Sequence, residues 1–172
     1  ECTKAGGGRV VVPEGTFLTG PIRLKSRVDL HLAKGAVVRF LTDSALYLPP
    51  VLTRWEGIEL MGYSPLVYAL EEESIAVTGE GTLDGGAGPE HWWPWKGKGP
   101  ESQKADRDRL LRMAEDGVPV SERVFGEGSR LRPPFIEPYR CRNVLIEGVT
   151  ITNAPFWVIH PVLSKNVTVR NV

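Results

Sequence analysis

The segment Asn143-Val-Leu-Ile returns as Asn166-Val-Thr-Val, 23 residues further along the chain. That spacing matches one coil of a solenoid, in which a repeat too short to enclose a core buries its apolar side only by stacking on its neighbours. This periodicity restricts the fold more than composition does. Ile75, in Ser74-Ile-Ala-Val-Thr-Gly-Glu-Gly-Thr-Leu-Asp-Gly, stands 47 residues after Val28, in Val28-Asp-Leu-His-Leu-Ala-Lys-Gly-Ala-Val-Val-Arg-Phe, a distance close to two such coils. The common unit is a short strand, a Gly or Asn turn, a second short strand and a longer turn. Val28 to Phe40 alternates apolar and polar residues, so one face of each strand turns inward. The fold expected is all-β, a right-handed parallel β-helix; an antiparallel sandwich also uses short strands between turns, but does not need a shared register of turns.

Residues from about 86 to 130 break the pattern. Ser102 to Gly117 is rich in helix formers, with Ser102 placed as a cap, Gly117 as a stop, and Ala105, Leu110, Met113 and Ala114 available for packing. The expected organisation is therefore part of a single β-helix domain over 1–172, incomplete, with a loop carrying a short α-helix inserted at about 86–130. Insertions in a solenoid emerge at turns, where they wall binding grooves.

Composition removes several classes of function. Lysine and arginine total 21 and aspartate and glutamate 21, for a net charge of zero, so no field of one sign points to nucleic acid or an anionic membrane. Hydrophobic residues make up 41% of 172, enough for a core, yet no apolar run approaches the roughly 20 residues of a transmembrane helix. Cys2 and Cys141 have no metal-ligand spacing, so neither a metal nor a cofactor is expected.

Four segments, in order, carry a resemblance: Gly7-Gly-Arg-Val-Val-Val-Pro-Glu-Gly-Thr-Phe-Leu-Thr-Gly, Gly79-Glu-Gly-Thr-Leu-Asp-Gly with Trp92-Trp93, Arg132-Pro133, and Asn143-Val-Leu-Ile-Glu-Gly-Val-Thr-Ile-Thr-Asn-Ala-Pro-Phe-Trp. Together they resemble the N-terminal portion of the polygalacturonase family of glycoside hydrolases, family 28. The resemblance implies a secreted or periplasmic protein whose partner is pectic polysaccharide or an oligogalacturonide, hydrolysed with inversion and without a metal. The family's catalytic carboxylates lie in an Asn-(Thr/Asn)-Asp-Gly segment and an Asp-Asp segment, supported by Gly-His-Gly and Arg-Ile-Lys. None of these occurs in the sequence, so no catalytic residue is assigned within it, and the chain is expected to be an inactive fragment with an uncapped, association-prone end. A noncatalytic carbohydrate-binding or surface β-helix module is the alternative.

Candidate substrate-binding residues follow from residue type. Trp92 and Trp93, like Trp95 beside them, either stack on sugar rings or pin the insertion to the solenoid. Arg132 has the planar fork that suits a galacturonate carboxylate, with Arg140, Arg142, Lys96 and Lys98 as lesser choices. Trp157 and His160 fall on opposite faces of a regular strand and share a groove only if the chain bends there. Asp84, in Leu-Asp-Gly, is the best-placed acid, but its context is that of an ordinary Asx turn. Asn166-Val-Thr fits a glycosylation acceptor, although its asparagine coincides with the repeated coil turn.

Overall fold

The computed structural model describes the whole chain, Glu1–Val172. Three parallel sheets form a right-handed β-helix. The first contains β1 (Gly8–Val12), β4 (Val28–Leu32), β9 (Glu73–Gly79), β13 (Arg142–Glu147) and β15 (Lys165–Arg170). The second stacks β2 (Gly15–Thr19), β5 (Ala36–Phe40), β10 (Thr82–Asp84) and β14 (Thr150–Thr152), and the third stacks β3 (Ile22–Arg23), β8 (Val67–Leu70) and β12 (Ile136–Tyr139). Bridges from Ile136 to Ile159 and from Tyr139 to Val162 extend the third sheet by one further coil.

Inward positions stack in columns. In the first sheet Val10, Leu30, Val77, Ile146 and Val169 lie in register. The middle three are buried while Val10 and Val169, on the outermost strands, are more than 40% exposed. The second sheet repeats this with Phe17, Val38, Leu83 and Ile151. Each fully buried side chain of this kind contributes about 1.5–3 kcal/mol, and no coil obtains that contribution alone.

The structure explains the Asn-Val signal. Arg27, Ser74, Asn143 and Asn166 each precede an inward residue of a first-sheet strand, and all four have φ between 55° and 63°. Asparagine tolerates this left-handed corner better than most residues, and Asn166 Nδ2 donates to Asn143 Oδ1 at 2.9 Å. The repeated asparagine is therefore a stacked corner. At the other end of the strand, Gly79 has φ +110°, and a Cβ there would lie 2.0 Å from the Leu32 carbonyl oxygen. Only glycine fits that turn.

The 47-residue offset is reinterpreted by the structure. Val28 and Ile75 do occupy equivalent places, but on adjacent coils, because Asp29 pairs with Ala76. The extra length is an antiparallel hairpin, β6 (Val51–Trp55) and β7 (Ile58–Gly62), whose two-residue turn Glu56-Gly57 has positive φ at both positions, as a type I′ turn requires. The hairpin leaves the coil between the second and third sheets. So does the larger insertion, which carries α1 (Lys104–Glu115) and returns through β11 (Val124–Phe125), parallel to β7. Ser102 Oγ accepts from the Lys104 amide at the start of α1, and Gly117 follows its end with φ +69°. Trp55, Leu60, Leu110, Phe125 and Leu131 give the two insertions a small core of their own.

Candidate functional site

The outward faces of the third sheet hold most of the unusual chemistry. Tyr68 pairs with Glu137 in register, and the Ile136–Ile159 bridge sets His160 beside Glu137 on the next coil. The β6–β7 hairpin folds over this face. As a result Glu137, on the outside of the β-helix wall, is 0% exposed. Thr53 Oγ1 of the hairpin donates to Glu137 Oε1 at 2.7 Å, and His160 Nδ1 lies 2.8 Å from Glu137 Oε2. Burial pushes the Glu137 carboxyl above the ordinary carboxylate range, against the opposing pull of the His160 and Thr53 hydrogen bonds. Fixing Nδ1 in this way leaves Nε2 as the imidazole's free polar atom.

An aromatic run leads up to that imidazole. Trp55 stacks on Phe156 at 5.1 Å, Phe156 on Trp157 at 4.3 Å, and the Trp157 and His160 rings are 4.3 Å apart. Residues 153–158 form no regular strand, and this irregularity is the bend that brings Trp157 and His160 onto one surface. Both remain partly exposed. Pro155, which has no amide hydrogen, keeps the segment from joining a ladder.

Arg132 holds the run from behind. It is 8% exposed, its Nη1 donates to the Pro155 carbonyl at 2.7 Å, its Nε donates to Gln103 Oε1 at 3.0 Å, and its guanidinium lies 4.8 Å from the Phe156 ring centre. Desolvation lowers its pKa from the usual arginine value. Arg132, expected to grip a sugar carboxylate, here braces the segment that carries Phe156 and Trp157, with Nη1 on the Pro155 backbone and Nε on the Gln103 side chain.

Of its two expected roles, sugar stacking and pinning, Trp92 takes the second. It is 3% exposed, packed between Tyr47 at 5.5 Å and Trp95 at 5.0 Å, with its indole N–H unpartnered. No face of it is open to a ligand, so it pins the insertion into the solenoid core. Trp93 is partly exposed, donates through Nε1 to the Ala154 carbonyl at 3.1 Å and carries Lys96 over its ring at 5.1 Å. It therefore meets the loop that bears Phe156 and Trp157.

Asp84 makes the Asx contact expected of it, accepting from the Gly86 amide at 3.0 Å, and also accepts from Asn153 Nδ2 at 2.8 Å and Arg39 Nε at 3.1 Å. Burial raises its pKa, but these bonds and the Arg39 charge outweigh that and hold it below the ordinary value. Its oxygens are occupied by wall contacts. Arg140 is paired to Glu59 at 3.2 Å and Glu71 at 3.5 Å, whereas Arg142 and Lys98 are exposed. Nothing in the sequence marks Glu59 or Phe156 for this surface, and Glu137 is only weakly signalled. The only available signal for Glu137 was a carboxylate within the apolar run Phe135-Ile-Glu-Pro-Tyr.

Trp157 and His160 thus form one partly exposed surface on the outer face of a parallel β-helix, beside the two insertions. No protein-family model matches the chain. The hyperthermoactive exopolygalacturonase of Thermotoga maritima is 59% identical over 99% of this chain, with a TM-score of 0.95, and the chain covers 39% of that protein. A probable polygalacturonase of Vitis vinifera is 26% identical over 97% of the chain, which spans 29% of its length. The family 28 exopolygalacturonase of Yersinia enterocolitica, at 22% identity and a TM-score of 0.62, shares the fold. The resemblance to the polygalacturonase family of glycoside hydrolases is borne out along the length of the chain.

Proposed function

We propose that this protein acts outside the cell on pectic polysaccharide as an inverting polygalacturonase-like glycoside hydrolase. In this proposal residues 1–172 supply the scaffold and one wall of the sugar cleft. The observation that carries the proposal is the 59% identity, over 99% of the chain, to a protein described as an exopolygalacturonase. Trp157 offers a ring face to a sugar, and His160, oriented by Glu137, offers Nε2 to a hydroxyl or carboxylate.

Inversion needs a carboxylic acid and a carboxylate base roughly 6.5–9.5 Å apart, both reaching the glycosidic bond. Glu137 has the raised pKa of a general acid, but it is enclosed by Thr53 and His160. Asp29, Glu59, Glu72 and Asp84 are each held by ion pairs or hydrogen bonds within the wall. In this proposal none of these five carboxylates serves as the acid or base, and the chain by itself is expected not to cleave. These engaged carboxylates also favour a second reading, a noncatalytic module that binds the same polymer.

Calorimetric titration with trigalacturonate tests the shared premise. Binding is expected, with Trp157→Ala and His160→Ala each weakening it about tenfold, a loss of about 1.4 kcal/mol. A folded chain that does not bind, or reducing-sugar release abolished by a substitution within 1–172, overturns the proposal. Hydrolysis by a polypeptide extended to the length of the Thermotoga relative separates enzyme from binding module.

A further inference from the structure

A polar groove separate from the Trp157–His160 surface lies where the hairpin, the end of α1 and the corner after the third sheet meet. Arg54, Arg123 and Arg140 line it together with Glu59, Ile58 and Leu163, and its volume is about 450 Å³. In a chain of zero net charge, three guanidiniums facing one carboxylate in a single groove are a local departure. Their hydrogen bonds show which of these charges is free.

Arg54 and Glu59 stand directly opposite each other across the hairpin, where side chains come within about 5 Å at Cβ and opposite charges ordinarily pair. Here they form no ion pair. Glu59 Oε1 is taken by the Tyr139 hydroxyl and by Arg140 Nη2 at 3.2 Å, and Arg140 also reaches Glu71 at 3.5 Å. Arg54 instead uses Nε to donate to the Gly57 carbonyl at 2.9 Å. Arg123 does likewise, with Nε on the Val118 carbonyl at 2.8 Å and Nη1 on the Glu59 carbonyl at 3.2 Å. Both guanidiniums are thus anchored to backbone, with both Nη atoms of Arg54 and Nη2 of Arg123 lacking a protein acceptor. Preorganised donors with a free fork suit a planar carboxylate, and Ile58 and Leu163 provide an apolar edge beside them.

Tyr139 ties this groove to the first site. It is two residues from Glu137 on the same outward face of β12, about 7 Å along the strand, and its hydroxyl contacts Glu59. We infer that the Arg54–Arg123 groove is an additional subsite for the carboxylate of a uronic acid unit, set off from the Trp157–His160 surface and built by the two insertions. This inference rests on the pectic-polysaccharide proposal above and extends it.

The test is calorimetric titration of the 172-residue chain and of Arg54→Gln, Arg54→Lys, Arg123→Gln and His160→Ala with three probes: trigalacturonate, its methyl ester and inorganic phosphate. The subsite requires that Arg54→Gln and Arg123→Gln each weaken trigalacturonate binding about fivefold to tenfold while leaving binding of the neutral ester unchanged. Arg54→Lys, which keeps the charge but loses the fork, should recover part of the loss and also guards against a hairpin defect in Arg54→Gln. Unchanged trigalacturonate affinity in both glutamine variants, with a loss in His160→Ala, overturns the subsite and leaves the proposed function standing. Absence of trigalacturonate binding in the parent chain overturns both. Phosphate binding equal to that of trigalacturonate and equally dependent on Arg54 overturns the uronate assignment.

Discussion

Leu83 and Glu137 lie on the same coil, and both are 0% exposed, yet they are buried for different reasons. Leu83 points into the β-helix and is covered by its register neighbours Val38 and Ile151. Glu137 points out of the wall and is covered because a hairpin from the preceding coil folds over it and hydrogen-bonds to it. Stacking of like on like produces the first kind of burial and yields stability without chemical individuality. Insertions produce the second kind, and with it the only enclosed carboxylate, the oriented imidazole and the stacked aromatics.

The sharpest way to break this contrast is to truncate the interior column. Leu83→Ala should cost about 3–4 kcal/mol through lost transfer energy and a cavity that two neighbouring coils cannot both close. Urea denaturation measures it. A loss below about 1 kcal/mol would mean that the column does not couple the coils.

The outer residue should respond to pH in a way Leu83 cannot. Because burial raises the folded-state pKa of Glu137 above the ordinary 4.5, its contribution is complete below the unfolded value and is lost as pH rises through the raised folded value. Glu137→Gln cannot ionise. Its stability relative to the parent should therefore improve with increasing pH, by at most about 1.4 kcal/mol per pH unit, in denaturation series from pH 4 to pH 8. A difference that stays flat across that range refutes the enclosed-carboxyl description.

Asp84 provides the smallest and opposite effect. Its pKa is held below the ordinary value, so its contribution is present above the unfolded value of 3.8 and is lost as pH falls through the lower folded value. Asp84→Asn should cost about 1 kcal/mol at neutral pH and should flatten the acid limb of the stability profile. An unchanged acid limb would show that the Arg39 and Asn153 contacts carry no net energy.

The residues legible in sequence are those whose surroundings recur. Val28, Ile75, Val144 and Val167 announce a stacked column, and Asn143 and Asn166 announce its corner, because every coil poses the same packing problem. The 47-residue interval is ambiguous for a related reason: an inserted hairpin and an additional coil occupy similar lengths of chain. Trp92 and Arg132 are open to a sugar-binding reading because tryptophan and arginine serve equally well as ligand contacts and as internal braces. Their residue types do not indicate which face they present.

The sequence by itself determined the coil, its direction and its apolar columns, since alternation and turn chemistry act over a few residues and are written locally. Only the tertiary structure decided which polar groups face one another. Glu137 meets Thr53 across 84 positions, His160 meets Glu137 across 23, and Arg54 is left unpaired beside Glu59 because Tyr139, 80 positions away, takes that carboxylate. These contacts depend on how two insertions fold back over the third sheet, and such long-range packing leaves no periodic mark on the chain.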